Sequence, residues 1–241
     1  MNEKETNIII SRIERWHNRL PAMFVEDEQL LTAEYSWSKD PIPFARRLEK
    51  KYRKITQGVS WAKEWESSWF HLKGKIKKEW TGKIIVADLD FSGEGLVYDP
   101  KGNEIQGITN ASIWDPNFVR TRVILPKSCI NKNGVELWVE AAANSLFGIY
   151  VDPDPEQDNP KRHGSFDAKV EKMVIGIFRK DIWDLYLDAR TLYGLIETLD
   201  EKSIRRARII NTMDKAIIAF KDDIKDAESA RKILNPELSK R

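Results

Sequence analysis

Apolar and polar residues alternate with a period of two through the middle of the chain, as expected for strands that bury one face. Four apolar residues share one parity, at Ile85, Ala87, Leu89 and Phe91. Asp88 and Asp90 take the other parity. Further strand-like runs cover residues 118–125, 135–142 and 169–178. Short strands separated by turn residues, without helices between them, predict an antiparallel β-sandwich of jelly-roll type.

A tight turn is predicted at residues 99–103. Pro100 presets one backbone torsion, and Gly102 tolerates a positive φ. The turn therefore joins residues 96–98 to residues 104–106 in a hairpin. A longer polar stretch at residues 152–164 has too little apolar surface to order itself, so we interpret it as a mobile surface loop.

The hydrophobic period changes to three and four at both ends of the chain, which predicts helices. The N-terminal helix carries Ile9, Ile13, Trp16 and Leu20 and ends at Pro21. After Asp181 one helix runs to about Leu199. A second follows with Asp200 or Ser203 as its cap, and a short third helix ends before Asn235. The predicted organisation is a helical lead-in (1–57) that is irregular over residues 22–43, a β-sandwich (58–179) and a helical tail (180–241). The apolar stripes of the tail need a partner surface.

The composition excludes several classes of protein. The single cysteine, Cys129, cannot form an internal disulfide framework and fits a reducing compartment. No signal peptide and no apolar run long enough to span a membrane is present. The net charge of +2 nominates no polyanionic partner. We therefore predict a cytoplasmic protein without a membrane partner.

A basic run covers residues 46–54 and permits two interpretations. It could bind nucleic acid, or it could be the solvated face of a helix. The second interpretation is favoured because the run is short, contains Glu49 and belongs to a chain of nearly balanced charge. We predict no nucleic-acid partner.

The sequence contains no catalytic motif. The three histidines, His17, His71 and His163, are far apart and lack the spacing of a metal site. Residues 93–95 lack the context of a phosphate loop. Carboxylates are numerous enough for the acid pair of a glycosidase, but their spacing does not pair them. We predict neither a catalytic residue nor a metal ligand in this chain.

Nine tryptophans are many for 241 residues, and indole faces commonly hold sugar rings. We assign Trp69 and Trp138 to core packing. Three tryptophans stay open between core packing and sugar binding: Trp61, Trp65 and Trp114. Glu94 and Asp99 are candidate acceptors for sugar hydroxyls.

Several segments resemble a known family. Residues 65–70 (WESSWF), 78–83 (KEWTGK) and 91–99 (FSGEGLVYD) resemble the N-terminal domain of α-mannosidases of glycoside hydrolase family 38, of the cytosolic and vacuolar type. Residues 135–148, 177–178 and 183–190 continue the resemblance in the same order. The resemblance implies a jelly-roll, galactose-binding-like sandwich followed by helices and placed ahead of a catalytic β/α barrel.

The same resemblance implies a function for the chain. The family's barrel binds zinc through histidines and aspartates and opens with a His-x-His-x-Asp segment, which these 241 residues lack. We therefore expect a non-catalytic accessory domain of a zinc-dependent α-mannosidase. It would pack on its own barrel, shape the active-site cleft or form a homo-oligomer. The alternative is an independent carbohydrate-binding module for mannose-containing oligosaccharides.

Overall fold

The structure is a computed structural model that describes residues 3–109, 119–132, 134–144 and 167–240. The chain forms two compact units, one of Met1–Glu26 with Arg179–Arg241 and one of Asp27–Phe178. The boundary between units therefore falls near residue 27 and not near residue 58. Residues 22–43, predicted to be irregular, contain two strands instead, which belong to the sheets of the sandwich.

The β unit is built from antiparallel pairs. Its strands within the described residues are β1 (Val25–Leu30), β2 (Thr32–Ser38), β3 (Arg53–Ile55), β4 (Ser60–Lys63), β5 (Ser67–Gly74), β6 (Ile85–Asp90), β7 (Glu94–Tyr98), β8 (Glu104–Thr109), β9 (Arg122–Ile124), β10 (Ile130–Asn131), β11 (Gly134–Ala142), β12 (Asp167–Lys169) and β13 (Lys172–Phe178). One sheet has the order β1-β13-β6-β9, and the larger has the order β3-β2-β5-β11-β7-β8 with β10 paired to β11. Strands β4 and β12 form a separate pair. The predicted sandwich class is confirmed.

The sandwich core follows the parity seen in the sequence. All four apolar residues of the 85–91 run are buried in one core cluster. From the larger sheet, Phe70 and Leu72 of β5 join the same cluster, opposite Val139 and Leu137 of β11. Alternation along a strand is thus sufficient to name the inward face, because successive side chains point to opposite sides.

A second cluster covers the outer face of the larger sheet. Phe44 begins a 3-10 helix (Phe44–Glu49), and its ring lies 5.6 Å from Trp69, 5.2 Å from Tyr98 and 6.5 Å from Trp138. Arg47 places its guanidinium 3.7 Å from the Phe44 ring and 4.4 Å from the Trp138 ring. Trp69 and Trp138 are buried as predicted, but in this outer cluster and not between the sheets.

The predicted basic helix is only partly present. The 3-10 helix gives way to an extended segment that becomes β3. Arg46 forms an ion pair with Glu49 at 2.7 Å, and Arg53 lies 4.7 Å from the ring of Tyr35. Arg46 and Arg53 of the basic run therefore have interaction partners within the β unit.

The predicted hairpin is confirmed. Strands β7 and β8 pair antiparallel, and the N–H of Gly102 donates to the carbonyl oxygen of Asp99 at 3.0 Å. Gly102 has φ +91°, and a Cβ there would come within 2.6 Å of the Phe44 ring. Glycine is needed both for the torsion and for the close approach of Phe44.

The helical unit contains α1 (Glu3–Arg19), α2 (Lys180–Thr198), α3 (Ile204–Phe220) and α4 (Ala227–Leu238), with a 3-10 turn (Leu20–Met23) after α1. Ser203 caps α3 by accepting a hydrogen bond from the backbone N–H of Arg206 at 3.4 Å. The predicted stop before Asn235 is wrong, since α4 continues through Pro236. The continuation costs α4 one hydrogen bond, because Pro236 has no N–H to donate to the carbonyl oxygen four residues earlier.

The helices bury their apolar stripes against one another. Trp16 of α1 meets Phe220 of α3 edge to face, with 5.8 Å between ring centroids. Arg12 donates to Asp214 at 2.8 Å, which joins the same two helices. The C-terminal helices thus find a partner surface in α1, which the sequence did not suggest. No helix in the described ranges is long and apolar enough to cross a membrane.

Candidate functional site at an exposed tryptophan edge

Trp61 lies inside the sandwich core. Only 3% of it is exposed, and its indole N–H donates to the carbonyl oxygen of Phe91 at 3.0 Å. Its ring packs edge to face on Phe70 at 5.4 Å. Because the ring is enclosed, no sugar can stack on it, and the burial favours the core interpretation of Trp61.

Asp99 is also buried, with 2% exposed, and its carboxylate organises the hairpin turn. One oxygen accepts the backbone N–H groups of Lys101 and Asn103 at 2.9 Å each, and the other accepts the Asn103 side-chain amide at 2.8 Å. Burial is the largest single influence on this pKa and raises it, but hydrogen bonds from Asn103, Ser128 and Lys101 together outweigh burial and hold the pKa at about 2. These contacts indicate a structural role.

Trp65 and Glu94 are exposed and lie near each other, whereas Trp114 falls outside the described residues. The backbone N–H of Trp65 donates to the carbonyl oxygen of Ala143 at 2.6 Å. The next residue, Asn144, accepts the backbone N–H of Glu94 at 3.1 Å and donates its amide to the Glu94 carboxylate at 2.8 Å. The segment after β11 therefore links two of the five predicted residues.

Trp65 has an unusual backbone. It lies between β4 and β5 with φ +67°, in the left-handed region, and 65% of the residue is exposed. A bulky side chain in that region is strained, at a cost of about 1–3 kcal/mol. The hydrogen bonds from Trp65 to Ala143 and from Ala143 to Glu66, at 2.6 and 2.8 Å, hold the turn in this conformation.

Trp37 is a neighbour that the sequence did not nominate. It lies near the end of β2 and is 41% exposed. Its indole N–H donates to Oε2 of Glu66 at 2.8 Å, and the backbone N–H of Lys63 donates to the same oxygen at 2.7 Å. Lys50 places its ammonium 5.7 Å from the Trp37 ring. Residues 22–43 were predicted irregular, so no strand parity was available to identify the exposed ring.

We name this surface the tryptophan edge. Its members share one end of the adjacent strands β2, β5, β11 and β7, and they are Trp37, Trp65, Glu66, Glu94 and Asn144. Two indole rings, two carboxylates and one amide thus lie along this end of the larger sheet, where Trp37 contacts Glu66 and Asn144 contacts Glu94. This set can stack on apolar ring faces and exchange hydrogen bonds with hydroxyl groups.

Other reactive groups of the β unit have structural partners. Lys172 donates to Asp88 at 2.8 Å and to Glu28 at 2.9 Å on one face of the smaller sheet. Cys129 is buried, and burial together with the charge of Asp99 raises the pKa of its thiol to about 12. Among the described residues, no group of three or more histidine, cysteine, aspartate or glutamate side chains is arranged to hold a metal ion.

The fold and these contacts define the chain as a jelly-roll sandwich joined to a small helical unit. A family model described as "Alpha-mannosidase, jelly roll domain", of the Ams1-like type, matches residues 29–174. The chain therefore belongs to the α-mannosidase jelly-roll domain family, and the resemblance seen in the sequence is confirmed. The matched residues lie entirely within the β unit.

Individual relatives are more distant. Mouse alpha-mannosidase 2C1 is 25% identical over 183 residues, which cover 73% of this chain and 16% of that protein. The chain thus spans about a sixth of the length of this curated relative. Among solved structures, a β-glucuronidase from Ruminococcus gnavus in complex with an N1-substituted uronic isofagomine is similar, with 16% identity and a TM-score of 0.42 over 62% of this chain and 29% of that one. Bacteroides uniformis β-glucuronidase 2 has 13% identity and a TM-score of 0.39 over 62% and 17%.

Proposed function

We propose that this chain is a non-catalytic accessory region of a longer α-mannosidase, a cytoplasmic glycoside hydrolase that removes terminal α-D-mannosides. The observation that carries this proposal is the family match over residues 29–174. The partial coverage of mouse alpha-mannosidase 2C1, at 16% of that protein, supports a place within a larger polypeptide.

The state of the carboxylates supports a non-catalytic role. A glycosidase needs two carboxyl groups that face a bound sugar from either side of the scissile bond. In this chain Asp99 is committed to the hairpin turn and Asp88 to Lys172. Glu94 is held by Asn144 on an open surface. On this proposal, hydrolysis and the zinc ion belong to a catalytic β/α barrel elsewhere in the polypeptide.

The helical unit is suited to packing against that barrel or against a second subunit. Among its described residues, the large exposed apolar side chains are Ile8, Leu187, Ile204, Ile218 and Ile224. Exposed apolar side chains of this size are common features of surfaces that contact another domain. Domain packing, with its effects on the cleft and on oligomerisation, is therefore the role we assign to the accessory region.

The coding sequence downstream of Arg241 tests whether this chain is part of a longer α-mannosidase. We expect the reading frame to continue into a barrel with a His-x-His-x-Asp segment, and a stop codon directly after Arg241 would refute the proposal.

A second assay tests the absence of catalysis. The purified 241-residue chain, supplied with zinc and an aryl α-mannoside, should release no more phenol than a buffer blank. The matched positive control is the full-length enzyme under the same conditions. Turnover by the chain alone, removed by a chelator and restored by zinc, would contradict the non-catalytic assignment.

A further inference from the structure

We propose that the tryptophan edge binds a neutral oligosaccharide of pyranose units. This activity goes beyond the accessory packing role and does not depend on it. The first observation is selective exposure. Trp37 and Trp65 expose 41% and 65% of their surface, while the other described tryptophans of the β unit are buried. Leaving an indole in water forgoes the gain of burying a large apolar surface.

The Trp37 ring and the Trp65 backbone are held in place before any ligand arrives. The hydrogen bond from Trp37 to Glu66 fixes the orientation of one indole. The backbone of Trp65 is held in its left-handed conformation by the contact with Ala143. Asparagine or glycine would adopt this torsion more easily, yet the position carries the largest side chain. A pre-ordered ring and backbone lose little conformational freedom on binding, which favours recognition of a ligand.

Polar groups beside the rings match the second requirement of a sugar site. The carboxylates of Glu66 and Glu94 accept hydrogen bonds, and the amide of Asn144 both donates and accepts. A pyranose ring presents an apolar C–H face together with equatorial hydroxyls, so it needs both kinds of neighbour. Two indoles on one surface fit a chain of at least two sugar units.

Charge selects among oligosaccharides. Glu66 and Glu94 place negative charge on the tryptophan edge, which repels uronates and phosphorylated sugars. The nearby cation Lys63 is already paired with Asp167, and Lys50, whose ammonium lies 5.7 Å from the Trp37 ring, offsets only one of the two negative charges. The edge should therefore prefer a neutral chain to an anionic chain of equal length.

The test uses the 241-residue chain and four trisaccharides. Ligand-observed NMR at millimolar concentration would compare mannotriose, maltotriose and cellotriose with trigalacturonate. We expect saturation transfer to at least one neutral trisaccharide and none to trigalacturonate. A folded sample that transfers saturation to no neutral trisaccharide, or one that prefers trigalacturonate, would overturn the proposal.

Variants locate the site. Trp65→Gly removes one ring while suiting the left-handed backbone, and Trp37→Ala removes the other. Each should weaken binding about tenfold, the loss expected when one stacking platform is removed. The matched control is Ile124→Ala, which removes a 52% exposed apolar side chain from β9 of the other sheet and should leave affinity unchanged. Equal binding by wild type and both tryptophan variants would disprove this location.

The outcomes for the two proposals remain distinct. Failure of sugar binding leaves the accessory role intact, because that role rests on the family match. A stop codon after Arg241, together with sugar binding that depends on Trp65, would refute only the proposal that the chain belongs to a longer α-mannosidase. The chain would then act as a carbohydrate-binding module on its own.

Discussion

The imidazole of His71 lies parallel to the indole of Trp138, with 3.9 Å between ring centroids and 4° between ring planes. Nε2 of His71 meets Oε1 of Glu136 at 2.7 Å. His71 points away from the sandwich core. It lies half-buried on the outer face of the larger sheet, where Trp138 covers one side of its ring.

This burial predicts a dependence of stability on pH. Desolvation is the largest influence on the pKa of His71 and lowers it below 6.5, although the hydrogen bond to Glu136 raises it. The unfolded chain therefore takes up the proton at a higher pH than the folded chain does. The free energy of unfolding should be greatest above about pH 7 and should fall as the pH drops through 6.5 towards the folded pKa.

Denaturant unfolding between pH 5 and pH 8 measures this effect. His71→Gln should reduce the slope of the unfolding free energy against pH. His17→Gln should reduce it separately, because burial also lowers the pKa of His17. An unchanged slope in the double variant would show that other groups control the pH dependence.

The two tryptophans at the start of the sandwich should respond in opposite ways. Trp61→Ala removes a buried ring and should cost about 3–5 kcal/mol of stability. Trp65→Gly removes an exposed ring and relieves a strained torsion, so it should change stability little or raise it by about 1 kcal/mol. Urea unfolding of both variants gives the comparison. A large loss of stability in Trp65→Gly would mean that its ring packs on the fold.

Asp99 should stabilise the hairpin only while it is ionised. Asp99→Ala removes the acceptor of the hydrogen bonds from Lys101, Asn103 and Ser128 and should cost about 2–3 kcal/mol at neutral pH. Since the folded pKa is about 2, this contribution is complete above the unfolded value of 3.8 and is lost as the pH falls towards 2. Acid titration of the unfolding free energy should show a steeper decline between pH 4 and pH 2 in wild type than in the variant. Parallel curves would exclude this role.

Two glycines offer a matched pair of substitutions. Gly134 has φ +126°, and a Cβ there would lie 2.0 Å from the carbonyl oxygen of Gly74, so Gly134→Ala should be strongly destabilising, by about 2 kcal/mol or more. Gly194 lies within α2 with no atom within 4 Å of an added Cβ. Gly194→Ala should therefore stabilise the helical unit by about 0.5–1 kcal/mol. The melting temperatures of both variants test this expectation. Shifts of the same sign in the two variants would contradict it.

The sequence predicted best where periodicity alone determines the geometry. The apolar pattern of residues 85–91 predicted the inward face of β6 correctly, because successive side chains of a strand point to opposite faces of the sheet. Strand β1 was missed because it reads VEDEQL and lies at the end of its sheet, where most of its side chains face solvent. An edge strand needs no buried stripe, so its sequence carries little alternation.

The candidate site was only partly predictable for a related reason. Trp65 and Glu94 were nominated from residue type, but their proximity depends on hydrogen bonds to Ala143 and Asn144, far along the chain. No local pattern encodes such contacts. Trp37 was missed although its indole N–H donates to Glu66, because that contact joins β2 to the separate turn between β4 and β5.

The helical unit draws its members from both ends of the chain, which constrains the order of events during synthesis. Helix α1 leaves the ribosome before the β unit, yet its partners α2 and α3 are translated only after that unit. The apolar stripe of Ile13, Trp16 and Leu20 therefore stays exposed to solvent while the strands are translated. An exposed stripe of this kind is a natural binding surface for a chaperone. A transcript truncated after Phe178 would yield a chain in which that stripe is never covered.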